Sequence, residues 1–131
     1  ALTALNLEAQ PTWLRLESVN AANELGKAAG AAVAGKSEPF LTAPWFWSDQ
    51  FDLKMQMVGI ALPTDTLVVR GEPESKRFSV FHLRPTGEIG AVQSINRPAE
   101  HLLARRLVNE HQSIAAAVLQ DESINLKEIM V

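Results

Sequence analysis

Pro44-Trp45-Phe46-Trp47-Ser48-Asp49-Gln50 is the stretch on which the reading of this chain turns. Two of the chain's three tryptophans fall within three residues, between a proline and a short polar turn. An indole is large, and its N–H needs a partner when buried. The segment is therefore committed to one apolar surface: the domain's own core, a bound planar ligand or a partner protein. Beyond it the pattern changes to period two. Leu53, Met55 and Met57 alternate with Lys54 and Gln56, as in a half-buried strand. Thr66 to Arg70 and Phe78 to Leu83 read as further strands, and Pro85 to Glu88 as a turn before a strand over Ile89 to Ile95. Four strands joined by short connections predict an antiparallel meander. Asn96 is expected to cap a helix with Pro98 in its first turn, running through Leu102, Leu103, Leu107 and Val108. Ser113 to Leu119 reads as a short helix, and Asn125 as the cap of a last turn. Strands first and helices after make the class α+β, an antiparallel sheet of four to five strands followed by C-terminal helices.

Upstream the pattern is different. Residues 1–14 show no clear period and contain Pro11, so they read as an irregular lead-in. Ser18 is the expected N-cap of a helix from about Val19 to Ala34 that stops at Gly35. Its apolar face is mostly alanine, with Leu25 and Val33, and Gly26 and Gly30 leave one side nearly flat. Such a face suits close packing on a sheet, at a propensity cost of about 1 kcal/mol per glycine. Glu24 and Lys27 argue against a helix that pairs within a membrane. Lys36 to Pro44, with two prolines, reads as a linker.

Composition narrows the function classes. The 131 residues suffice for one domain with a sizeable core. No apolar run approaches a membrane span, and the N-terminal residues lack the basic stretch of a signal peptide. The absence of cysteine excludes disulfides, thiolate metal sites and cysteine nucleophiles, and fits a cytoplasmic setting. A net charge of −3 argues against a nucleic-acid binder. No G-x-G-x-x-G occurs, so the chain has no dinucleotide-binding fingerprint of its own.

A family resemblance rests on the Trp-rich segment and on a series of short matches along the rest of the chain. These are Phe51-Asp52-Leu53-Lys54, Met57-Val58-Gly59, Val68-Val69-Arg70-Gly71, Phe78-Ser79-Val80-Phe81, Ala91-Val92, Ile95-Asn96-Arg97-Pro98 and Leu126-Lys127-Glu128-Ile129. Together with Arg15-Leu16-Glu17-Ser18-Val19, they resemble the C-terminal domain and the last FAD-domain helix of FAD-dependent NADH:ferredoxin reductases. This is the family of putidaredoxin reductase and of the reductase components of aromatic-ring dioxygenases. The resemblance implies a fragment: residues 1–36 as the C-terminal remnant of an FAD domain, and 37–131 as the C-terminal interface domain. It also implies a parent oxidoreductase that passes electrons from NADH through FAD to a [2Fe–2S] ferredoxin. The fragment itself is expected to be inactive and without bound FAD, and its exposed helix face to favour a homodimer. The alternatives are a stand-alone interaction or dimerisation module without flavin, and a relative of apoptosis-inducing-factor flavoproteins.

No catalytic or metal-binding constellation is expected. His82, His101 and His111 are too far apart in sequence for a metal motif and read as surface histidines, with His82 facing outward. Ser48 and Asp49 read as turn or capping chemistry. The resemblance carries Trp47 toward the flavin ring, as a shield from water on the route to the iron–sulfur partner. Ser18 and Val19 go with the helix start that faces the flavin pyrimidine, and Glu17 is placed near the nicotinamide. Trp45 and Arg97 are assigned to partner docking. Arg70, Lys76, Arg77, Arg84, Arg97, Arg105 and Arg106 read one by one as solvated surface, with any cluster among them steering an acidic ferredoxin.

Overall fold

The computed structural model describes residues 2–7, 10–36 and 42–129. The chain forms two compact units, Ala1–Pro44 and Trp45–Val131.

The first unit opens with a hairpin, not with the irregular lead-in its sequence suggests. Strand β1 (Leu2–Leu7) pairs antiparallel with β2 (Gln10–Arg15), Leu2 opposite Arg15. Pro11 hides this hairpin in the sequence, since proline argues against a central strand. In a two-stranded ribbon every strand is an edge, so its missing N–H costs no essential ladder bond. Helix α1 (Val19–Val33) follows as the sequence predicts. The Ser18 hydroxyl accepts the Ala21 N–H at 3.1 Å, a cap that contributes about 1 kcal/mol. Gly35, at φ +77°, ends the helix in the left-handed conformation open to glycine. Among the helix residues only Ala21 is buried. A Cβ added at Gly26 or Gly30 would meet nothing within 4 Å, so the small-residue face is open.

The second unit is a five-stranded antiparallel sheet with helices after it. Its strands are β3 (Trp45–Gln50), β4 (Leu53–Gly59), β5 (Thr66–Glu72), β6 (Arg77–Leu83) and β7 (Ile89–Ile95). The helices are α2 (Pro98–Asn109), α3 (Ala116–Gln120) and α4 (Leu126–Ile129). The class expected from sequence holds; the simple meander does not. The strand order is β3-β4-β7-β6-β5, so β4 pairs with β7 and the chain crosses to the far edge for β5. Ser48, Asp49 and Gln50 belong to edge strand β3, and the turn is displaced to Phe51 and Asp52. Their polarity reflects an edge strand, not turn chemistry.

Register puts Trp45, Val58, Val92, Phe81 and Val68 in one row across the sheet. Val58, Val92, Phe81 and Val68 are at most 2% exposed, and each stabilises the fold by about 1.5–3 kcal/mol. The next row on the same face is Trp47, Gln56, Ser94, Ser79 and Arg70. Helix α2 packs on β7 and β4 and buries His101, Leu103, Ala104, Leu107 and Val108, while Leu102 is exposed. Asn96 does not cap α2; Arg97 stands at the N-cap. Asn96 instead adopts φ +52° and ties two turns together, its Oδ1 accepting the Lys54 N–H and its Nδ2 donating to the Lys76 carbonyl. Asn125 does cap the last turn, accepting the Lys127 N–H.

Candidate functional site

Strand β3 carries two of the second unit's exposed aromatics, Phe46 and Trp47, and Phe51 follows in the turn. Trp45 and Trp47 are two residues apart on one strand and so share a face. Their rings stack with centroids 5.4 Å apart and planes at 27°. Helix α2 supplies the other members of the cluster. The Arg105 guanidinium lies 4.5 Å from the Trp45 ring centroid, a cation–π contact. The His101 ring lies 6.2 Å from that of Trp45 at 53°. Trp45 is half-buried within this group, whereas Trp47 remains 41% exposed. The arrangement is a supported indole with one side available to a planar ligand or a partner.

His101 is 1% exposed, and neither ring nitrogen has a hydrogen-bond partner among the described residues. Burial, and secondly the charge of Arg105, hold its pKa below the usual histidine value. His82 is also buried; among the described residues neither ring nitrogen makes a hydrogen bond, and Nδ1 lies 3.9 Å from Asp65 Oδ2. Its pKa is lowered chiefly by burial, Asp65 opposing and Arg84 adding to the effect. The surface reading of these two histidines is therefore wrong. His111 alone is exposed, its Nδ1 2.8 Å from Glu88 Oε1.

Several of the basic residues also differ from the solvated surface expected of them. Arg70 is 5% exposed, and its fork donates to Glu100 and to the carbonyls of Leu119, Asp121 and Ile124. Arg84 grips both carboxylate oxygens of the buried Asp65 and the Ile60 carbonyl. Arg97, assigned to docking from sequence, pairs with Glu100 and Glu122 and donates to the Arg77 carbonyl. Glu100 links Arg70 to Arg97 and also accepts from the Ser79 hydroxyl at 2.6 Å. Arg106 and Lys76 are exposed, in ion pairs with Glu110 and Asp52.

In the first unit, Glu17, Ser18 and Val19 line an open groove of about 620 Å³ with Leu16, Ala22, Leu25, Gly26 and Ala29. Glu17 is exposed and 3.5 Å from Arg15, and Val19 is 58% exposed. A helix start bears partial positive charge, so the groove suits an electron-rich group. The sequence reading missed His101 and gave Arg105 no special place; their i, i+4 spacing on an amphipathic helix was the available signal. Among the described residues no cluster could hold a metal ion, and no helix is long and apolar enough to cross a membrane.

The family described as reductase C-terminal matches residues 45–130. The chain is 37% identical over 118 residues to putidaredoxin reductase of Pseudomonas putida, covering 90% of this chain and 28% of that protein. It is 37% identical over 124 residues to the ferredoxin reductase subunit of a 5,5'-dehydrodivanillate O-demethylase from a Sphingobium species, covering 95% and 30%. The covalent putidaredoxin reductase–putidaredoxin complex superimposes with a TM-score of 0.83 at 37% identity, over 92% of this chain and 28% of the other. The chain thus spans less than a third of the length of the relatives it matches.

Proposed function

This chain belongs to the reductase C-terminal family, and from that premise we propose that it is the C-terminal portion of an FAD-dependent ferredoxin reductase. The longer protein passes electrons from NADH through FAD to a [2Fe–2S] ferredoxin. Residues 1–36 belong to its FAD domain and the rest to its interface domain. Bound FAD supplies a two-electron acceptor that can release electrons one at a time.

The observation that carries this reading is Trp47. It is the second tryptophan of the motif, it keeps an exposed ring, and its neighbour Trp45 is held by helix α2. An indole so supported can lie beside a planar ring system and keep water away from it. In the first unit, Ser18 and Val19 sit at a helix start whose partial charge favours an electron-rich carbonyl. Each site taken by itself suits an aromatic or electron-rich part of a flavin, and neither supplies a phosphate-binding loop. Glu17 is assigned to the nicotinamide side, and Trp45 to the docking surface beneath Trp47. Arg97 shapes that surface from within its ion-pair network more than by offering a free charge.

Trp47→Ala in the full-length reductase tests the proposal. Electron transfer to ferredoxin should slow more than flavin reduction by NADH, in stopped-flow measurement of the two half-reactions. The lost stacking and partial burial cost about 1–3 kcal/mol of stability, so flavin content is checked first. Equal slowing of both half-reactions in a folded, flavin-loaded variant would return Trp47 to a packing role.

A further inference from the structure

Among the described residues, edge strand β3 pairs only with β4, which leaves its outer edge open. Two contacts to the Trp45 ring come from α2, from Arg105 and from His101. His101 and Arg105 are one turn apart on this helix and reach the same side. Arg105 lies over the Trp45 ring, and Trp45 is the ring against which Trp47 stacks. We infer that Arg105 is a positioning residue for Trp47: its cation–π contact fixes Trp45, and Trp45 fixes the plane in which Trp47 offers its exposed ring. The functional meaning of that plane rests on the flavin-facing reading of Trp47; its geometry does not.

A cation over an indole is attracted by the ring quadrupole, most strongly where water is excluded. Trp45 is half-buried, so this condition is met in part. The same guanidinium also acts on His101. Burial first, and the Arg105 charge second, favour the neutral form of that imidazole, and among the described residues its nitrogens have no hydrogen-bond partner to stabilise a proton. The helix thus presents one cation and one neutral ring to Trp45. Removing the cation should loosen the indole pair and ease protonation of His101 together, a coupling that generic packing would not produce.

Both consequences can be read without flavin. Stacked indoles split their strong far-ultraviolet transition into a circular-dichroism couplet, and Trp47→Phe identifies the couplet in this chain. Arg105→Gln should lose most of its amplitude, and Arg105→Lys, which keeps a cation, should retain it. By NMR, His101 should titrate at higher pH in Arg105→Gln than in the wild type, and Arg105→Lys should leave it near the wild-type value. A full couplet in folded Arg105→Gln overturns the inference, as does equal loss in Arg105→Lys. Should Arg105→Gln fail to fold, Arg105→Met, which keeps most of the aliphatic stem, is read the same way. The flavin reading fails separately: equal slowing of both half-reactions in Trp47→Ala would leave the couplet result standing.

Discussion

Replacing Arg70 should release the C-terminal segment from the sheet, and the structure sets the size of the effect. Arg70 sits on β5, is 5% exposed, and makes four hydrogen bonds. Its Nε donates to Glu100 at 3.1 Å, Nη1 to the carbonyls of Leu119 and Asp121 at 3.0 and 2.6 Å, and Nη2 to that of Ile124 at 2.8 Å. Arg70→Met removes all four and leaves the Glu100 carboxylate with Arg97 and Ser79. Breaking a buried ion pair by deleting one partner costs about 3–5 kcal/mol. Water can replace some donors to the carbonyls, because Asp121 is exposed, so the lower half of that range is expected. At roughly 4–8 °C per kcal/mol for a domain of this size, Tm should fall by at least about 12 °C. Arg70→Lys keeps the charge but has no fork to span the three carbonyls, so it should recover less than half of the loss. Urea denaturation followed by circular dichroism gives the stability change. Hydrogen exchange should show residues 119–126 losing protection before β6 and β7. A Met variant within about 1 kcal/mol of wild type, with that segment still protected, would refute the argument that Arg70 pins it.

The chain alone should not bind FAD tightly, because it has no phosphate-binding loop; saturable quenching of its Trp fluorescence at micromolar FAD would contradict this. Stability should fall as pH drops below the ordinary histidine value of about 6.5, because the unfolded chain takes up protons that His82 and His101, with lowered pKa values in the fold, refuse. The loss should level off below the folded-state pKa values. Urea midpoints at pH 7.5 and 5.5 measure it, and His101→Phe should flatten the dependence; an unchanged slope would remove His101 from the account.

The parts of the fold legible in sequence are those set by local periodicity and punctuation. Leu53, Met55 and Met57 announce β4 because alternation is a property of neighbours along the chain. Ser18 and Gly35 mark the ends of α1 because caps act within a turn. The strand order was not legible. Nothing local tells β4 to pair with β7, whose first residue lies thirty positions beyond β4, when β5 begins within seven. The indole pair was visible as a commitment to some apolar surface, while its partner on α2 was not, since Trp45 and Arg105 meet only after the helix has folded back.

The histidines and arginines show where the limit falls. Alternation puts His82 on the face opposite Phe81, and register bears that out by setting it in the row of Leu67 and Ala91. The error lies in equating that face with solvent. Asp65, with its side chain fully buried, brings its carboxylate within 3.9 Å of His82 Nδ1, and Arg84 grips the same carboxylate. Arg70 and Glu100 likewise bury their charges only because each has the other, and because Ser79 and the carbonyls of residues 119–124 complete their bonding. A buried charge is tolerated when its partners are assembled around it. Those partners come from strands, loops and helices tens of residues apart, so a rule applied to each residue singly assigns such groups to solvent. Arg105 differs in kind. It is only partly buried, its partner is a ring, and its charge acts on a ring that supports the exposed Trp47. Arg70 and Arg84 spend their donors inside the domain, whereas Arg105 stands where a change of charge can reach the surface offered to a ligand.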